Sequence, residues 1–346
     1  MTMPLVQVSS KAEGISFVER GSHGFFAVLF RLIVMEIDTL RRRRLSRVLV
    51  AVGMGIVIVV LLGIGLRTLQ NIHTPASAYA PPLCSAGSHA AGCSNHVPTL
   101  ADRERYKQLS VKNLAQELIP PGLLQLLNLL LGNALFILLI VLVGSMVGGE
   151  YSLGTVRLLF TRGPGRLQFL LAKVLTTAIC AVALYLLLTA TMLLCGFGLH
   201  QIFGLPFDGR FLTPAWLGHT GLFIGWGMLG WFVYGMMALF FGTVGRSTVV
   251  GIVGPLIWVS AETILTKLFQ LVVGSSSGSW GSVLKSIPDY FVGNSLGSLL
   301  QNQGYVVYGG SAGALPNVSA GLMVALYLTL FLGLACWFTV RRDVTN

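Results

Sequence analysis

Residues 41–66 read RRRRLSRVLVAVGMGIVIVVLLGIGL. That junction between a cluster of arginines and an unbroken apolar run decides the fold. From Val48 to Leu66 no ionisable side chain interrupts the chain. A helix rises 1.5 Å per residue, so about 20 apolar residues cross the ~30 Å hydrocarbon core of a bilayer. Only a helix or a closed barrel satisfies its own backbone groups there, where no water can do so. Five more stretches of comparable length and apolarity follow, near residues 123–147, 170–198, 220–244, 248–272 and 320–340. The expected fold is therefore an all-α membrane protein with six transmembrane helices. Residues 1–47 form the N-terminal segment, 48–340 the transmembrane domain and 341–346 a short tail. Long loops are expected at 67–122 and 273–319, and no internal repeat of the kind many secondary transporters carry is visible.

Composition agrees. Of 346 residues, 54% are hydrophobic and only 10% charged, against about 25% charged in a soluble domain. The mean hydropathy is +0.78. The formal net charge is +11. Its basic residues flank apolar runs rather than forming a patch on a soluble domain, which points to an anionic membrane surface and away from nucleic acid. Lysine and arginine also set orientation. Eight lie before the first span, Arg157, Arg162 and Arg166 follow the second, Arg246 separates the fourth and fifth, and Arg341 and Arg342 follow the sixth. All fall on one side if the spans alternate, so both termini are expected in the cytoplasm. Residues 1–24 are mostly polar and Phe25–Met35 is short and holds Arg31, so no cleavable signal peptide is expected.

Upstream of the first span, apolar residues at 25, 26, 29, 30, 33, 37 and 40 recur at helical spacing, with Arg31 and Glu36 on other faces and Arg41, Arg42, Arg43 and Arg44 at the end. Such a helix suits the membrane interface. It serves either as a topology anchor alone or as an anchor that also meets a partner. In the loop at 67–122, Asp102 to Leu118 reads as a helix stopped by Pro120-Pro121. In the loop at 273–319, Tyr290 to Leu300 is too short to span and either lies on the membrane or dips into it.

The most specific segment is 148–168, GGEYSLGTVRLLFTRGPGRLQ. It reads as a short helix that opens near Glu150 and stops at Gly163-Pro164, since glycine accepts a left-handed cap and proline cannot continue the helix. Its tip, Leu158, Leu159 and Phe160, is apolar and flanked by charge, which suits a pocket on another protein. The pattern of Glu150, Gly154, Thr155, Arg157, Pro164, Arg166 and Lys173 resembles the cytoplasmic segment of ABC-2 type transporter permeases. The opening Glu36 to Arg44 and the order of six spans with a large first loop resemble that family too. The resemblance implies a permease subunit of an exporter, working as a homodimer with a separate ATP-binding-cassette ATPase that holds ATP and Mg. It makes 148–168 the coupling helix, with Glu150, Tyr151, Gly154, Thr155, Arg157, Leu158, Phe160 and Arg162 as its contact residues. No G-x-x-x-x-G-K-[ST] string occurs, so no cofactor and no catalytic residue are expected on this chain itself.

Weaker signals remain. Cys84 and Cys93 in the first loop suit a disulfide, while their interleaving with His89 and His96 would also allow zinc, and free thiols are the third possibility. No metal site is expected. Cys180, Cys195 and Cys336 read as small packing residues within spans. Glu262 is the one acid deep in a span; a substrate contact, a proton site or a buried hydrogen bond would each explain it. Asn128 and Asn133 suit interhelical hydrogen bonds, and with Trp258 and Glu262 they are candidates to line a substrate path. A secondary transporter or channel, or a non-transporting membrane partner of an ATPase, are the competing functions.

Overall fold

The computed structural model describes residues 24–78, 99–152, 165–204, 209, 212–273 and 284–341. Its first helix, α1 (Phe25–Arg42), breaks at a single extended residue, Arg43, and α2 (Arg44–His73) begins at once. The remaining elements are a 3-10 turn at Ala76–Ala78, α3 (Leu100–Glu117), α4 (Gly122–Leu130), a π-turn at Leu131–Leu135, α5 (Phe136–Ser152), α6 (Arg166–Ile202), α7 (Pro214–Gly245), α8 (Thr248–Val273), a 3-10 turn at Ile287–Tyr290, α9 (Val292–Tyr308) and α10 (Asn317–Arg341). No strand occurs among the described residues. Among the described residues, six helices are long and apolar enough to cross a membrane: α2, α4 with α5 as one span, α6, α7, α8 and α10. The chain is a multi-pass membrane protein, all-helical over its described residues.

The spans run past the apolar runs that announce them. The first extends to His73 rather than ending at 66, and the third covers Arg166–Ile202 rather than 170–198. The backbone ladder continues wherever no residue stops it; Thr74-Pro75 ends the first because proline has no N–H to donate. Helix α3 begins with a reciprocal cap: the Thr99 N–H and hydroxyl donate to the Asp102 carboxylate at 2.9 and 2.7 Å, and the Asp102 N–H donates to the Thr99 hydroxyl at 3.3 Å. Helix α7 begins on Thr213, whose hydroxyl accepts the Trp216 N–H at 3.2 Å, with Pro214 pre-set in the first helical position.

Helix α7 is the most buried span and packs against α5, α6, α8, α9 and α10. Beside it, α5 and α8 pack backbone against backbone. A Cβ placed on Gly144 would sit 2.7 Å from the Gly251 carbonyl oxygen, and one on Gly148 would sit 2.5 Å from the Thr248 backbone. Glycine four residues apart on one helix face removes the side chains that would hold two backbones apart. The Gly144–Gly149 run, which lacks a phosphate-binding lysine, is a packing seam.

One expectation is corrected here. Glu150 does not open a new helix, because it lies in the last turn of α5, which continues the second span to Ser152. Residues 148–152 and 166–168 thus belong to the flanking spans, and the remainder of the expected coupling helix, residues 153–164, lies outside the described residues. The Tyr290–Leu300 stretch is also resolved as α9, which lies against α7, α10 and α4 with Val292, Ser295, Leu296, Ser298 and Leu299 buried. Of the two readings offered for this stretch, lying on the membrane or dipping into it, the packing favours the second.

Candidate functional site

Two polar constellations occupy opposite ends of the bundle. The first lies where α1, α5 and α6 meet. Lys173 in α6 is 1% exposed. Its ammonium donates to the Glu36 carboxylate of α1 at 2.5 Å and forms an ion pair with Glu150 at the end of α5. The Phe169 ring lies 5.4 Å from the same ammonium. Two carboxylates share one buried cation, and three helices are tied at one point. A carboxylate in the last turn of a helix faces the negative end of the helix dipole; Lys173 offsets that cost for Glu150.

Helix α1 reaches this lock through one face. Leu29 and Leu40 are buried and Glu36 points with them toward α6, while Phe26, Phe30 and Val34, spaced at one turn, stay exposed. The expected single apolar face is therefore two faces, one against protein and one free. Arg31, Arg41, Arg42 and Arg44 are exposed, and Arg42 pairs with Asp38 at 2.9 Å. Arg43 is half-buried instead, its guanidinium 3.5 Å from the Ser145 carbonyl oxygen.

The second constellation is a cavity of about 460 Å³ between the second, fourth and fifth spans and α9. Its walls carry the carboxamides of Asn128, Asn133, Gln270, Asn294 and Gln301, the hydroxyls of Thr263 and Thr266, and the charges of Glu262 and Lys267. Aromatic faces line the rest: Phe136 stacked on Tyr234 at 4.3 Å, and Tyr185 edge-on to Trp231 at 5.7 Å. The π-turn at Leu131–Leu135 shapes one wall. A wide turn loosens the local backbone bonds, and side chains take up the carbonyls: the Trp231 indole donates to Leu131 at 3.0 Å, and Asn133 to Leu129 at 3.3 Å. Asn128 donates to the Tyr308 hydroxyl at 3.1 Å, an interhelical bond of the expected kind. Burial pushes the Tyr308 hydroxyl above the usual phenol range, partly opposed by that bond.

Glu262 stands between α8 and α9. Its carboxylate accepts the backbone N–H groups of Val292 at 2.9 Å and Gly293 at 3.1 Å, and the Trp258 indole N–H at 3.1 Å. By helical rise, Glu262 lies about 21 Å from the Thr248 end of its span and about 14 Å from Leu271. The first N–H groups of a helix have no intrahelical acceptor and need a partner where the helix starts inside the bundle. An acid so deep in the hydrocarbon is explained by this need, since a carboxylate suits a helix N-terminus. Of the expected path residues, Asn128, Asn133 and Glu262 share the cavity. Trp258 does not; it lies on the other side of α8, edge-on to Phe331 at 5.9 Å.

Asn133, Thr263, Lys267, Gln270 and Gln301 are exposed. The cavity thus opens through one flank of the bundle. A further cavity of about 630 Å³ shares Asn128, Asn133 and Gln301 with it and continues to Arg67, Glu117 and Ser311 toward the loop end.

A family profile described as "Protein of unknown function (DUF2705)" matches residues 116–345. The chain belongs to the DUF2705 family. No curated protein matches it. The DUF2705 match takes in spans two to six, so the cavity, α9 and two members of the charge lock, Glu150 and Lys173, lie within it. Glu36, the third member, lies before the DUF2705 range, on α1.

Sequence reasoning had singled out Glu36, Glu150 and Lys173 separately and missed that they meet. The available signal was topological: all three stand at the same end of alternating spans. Nothing local links Glu262 to α9. Cys84 and Cys93, with His89 and His96, lie outside the described residues, as do Gly154, Thr155, Arg157, Leu158, Phe160 and Arg162. Tyr151 lies in the last turn of α5. Cys180, Cys195 and Cys336 are free and half-buried, as packing residues.

Proposed function

We propose that this chain is the transmembrane permease subunit of an ATP-binding-cassette exporter of the ABC-2 type. It sits in the cytoplasmic membrane with both termini in the cytoplasm and carries no ATPase site of its own. A separate ATPase subunit binds ATP and Mg and drives transport. The observation that carries this reading is the polar cavity open through the flank of an otherwise apolar bundle. Carboxamides, hydroxyls and an ammonium at that depth are costly against lipid tails, and polar groups within spans face water or other protein. A second copy of the chain, set face to face, would close the two half-cavities into one water-filled path.

The resemblance to ABC-2 permeases gains support from the charge lock. Glu150 and Lys173, which bound the coupling-like segment in sequence, are ion-paired. A push on residues 153–164 would then reach the second span, the third span and α1 together. The outward row of Phe26, Phe30 and Val34 and the exposed arginines suit α1 to the lipid interface. Glu262 is engaged by the α9 N-terminus, which weighs against a proton relay and so against a secondary transporter.

Purification from native membranes in mild detergent, with mass spectrometry of copurifying proteins, tests this. A P-loop ATPase in stoichiometric amount and disulfide cross-linking of Asn133→Cys to a second copy are expected. Hydrolysis of ATP by the isolated chain, or a lone monomer with no ATPase, would overturn it.

A further inference from the structure

Glu262 belongs to two cavities. Besides the polar one, its side chain lines an apolar groove of about 830 Å³ on the other side of α8. The groove is walled by Val253, Ile257 and Leu265 of α8, Phe241 of α7, and Phe291 and Tyr327 beside the start of α9. Helical geometry makes this division, because residues about 100° apart around an axis form two faces. Thr263, Thr266 and Gln270 face the polar side; Val253, Ile257 and Leu265 face the groove. Between them stands one seam, where the Glu262 carboxylate holds the N–H groups of Val292 and Gly293 and the Trp258 indole.

The two cavities ask for different chemistry. From Val249 to Leu265 the groove runs about 24 Å by helical rise, longer than the ~15 Å of one leaflet's hydrocarbon, half of the ~30 Å core. Val249 and Ile257 are 66% and 63% exposed, so it is open to the lipid side along its length. The polar cavity holds five carboxamides, each able both to donate and to accept. Its two charges, Glu262 and Lys267, are opposite in sign, so neither an anion nor a cation is favoured overall. There is room on the α9 side, since a Cβ on Gly297 would meet nothing within 4 Å.

We propose that the seam between α8 and α9 at Glu262 is a lateral portal for a single-tailed amphiphile with an uncharged head rich in hydroxyl or amide groups. The tail lies in the groove along α8 and the head in the polar cavity. Glu262 and the α9 N-terminus form the partition that the head must pass. This rests on the transport reading for its purpose, but it is a statement about binding and is tested as one.

The test uses the full chain reconstituted in phosphatidylcholine vesicles, with an alkyl maltoside carrying a photoactivated diazirine at the end of its tail. Labelling is mapped by mass spectrometry. The expected result is label on the α8 segment that includes Val253 and Ile257, competed by unlabelled alkyl maltoside but not by maltose or by hexadecane. Ile257→Trp fills the groove and Gly297→Leu fills the head side, and each is expected to lower labelling about tenfold. Gel-filtration elution like the wild type shows that each variant is folded. Equal labelling by a diazirine-tailed phosphatidylcholine, with no effect of Gly297→Leu, would mean that the groove holds bulk lipid only and would overturn the portal. So would cross-linking of Ile257→Cys to itself in a second copy, which would mean that protein covers the groove. Loss of the label with Asn133→Cys cross-linking intact would remove the portal alone and leave the transport reading standing.

Discussion

The Glu262 carboxylate accepts the Val292 backbone N–H at 2.9 Å across a sequence separation of 30 residues. With the Gly293 N–H on its other oxygen, it anchors the start of α9 within the bundle. Glu262→Gln keeps one acceptor oxygen but turns an amide toward a donor, so one of the two bonds is lost. Glu262→Leu removes both. An unmet buried donor costs about 1–3 kcal/mol, so thermal unfolding in detergent should rank wild type above Glu262→Gln and Glu262→Gln above Glu262→Leu. On the proposed permease reading, Glu262→Gln should also lower substrate-stimulated ATP hydrolysis by the complex while assembly persists. Equal unfolding temperatures would show that the carboxylate does not hold α9.

The charge lock makes a prediction of different size for one change and for three. Lys173→Met leaves Glu36 and Glu150 without their cation in a mostly buried site. Removing one partner of a buried pair costs about 3–5 kcal/mol, whereas replacing the whole set by neutral groups is often near neutral. The triple variant Glu36→Gln, Glu150→Gln, Lys173→Met should thus be closer to wild type in denaturation than Lys173→Met alone. If the single variant is as stable as the wild type, the lock does not tie the three helices.

Glycines on different helices should respond differently. Gly148 faces the Thr248 backbone and has no room for a methyl group, whereas a Cβ on Gly63 meets nothing within 4 Å. Gly63→Ala should stabilise the purified chain by about 0.5–1 kcal/mol, because alanine is the better helix former. Gly148→Ala should destabilise it, because the two backbones must part. The same sign at both positions, read from melting curves, would count against the seam.

The coupling reading is tested outside the described residues. Leu158→Ala with Phe160→Ala should weaken association with the ATPase by roughly thirtyfold, the effect of about 2 kcal/mol at an apolar anchor. Insertion of the chain should be unchanged. Wild-type binding and transport by this variant would remove the segment from the interface.

How much of this was legible in the sequence depends on range. The six spans follow from apolar run length alone, because each helix satisfies its backbone internally and needs no partner to be recognised. Their ends were read short, since helices such as α2 continue to His73 on backbone bonds after the apolar residues stop. Helix α9 was not legible as a packed element. Its Tyr290–Leu300 stretch reads as an apolar piece too short to span, and what it packs against is hidden because Asn294, Ser295 and Ser298 bond inside the bundle to the Pro288, Asp289 and Asn294 carbonyls. Glu262 stood out as costly, but its partners are backbone groups of a distant segment, and backbone groups leave no trace in residue identity. Lys173 could be read as a boundary charge; that it sits beneath α1, with almost no exposure, required the packing of three helices.

The glycine seam and the polar cavity lie at opposite ends of the same two spans, the second and the fifth. Gly144 and Gly148 clamp α5 to α8 near the charge lock, while Asn128 and Asn133 stand toward the loop end, where the cavity keeps the helices apart. The pair is built like tweezers held at the closed end. Asn128 lies about 30 Å from Gly148 along the span, so a tilt of about 5° at the clamp moves it by roughly 2.6 Å, close to a hydrogen-bond length. A small rotation where the chain is tightest is therefore enough to make or break the Asn128–Tyr308 bond where it is most open.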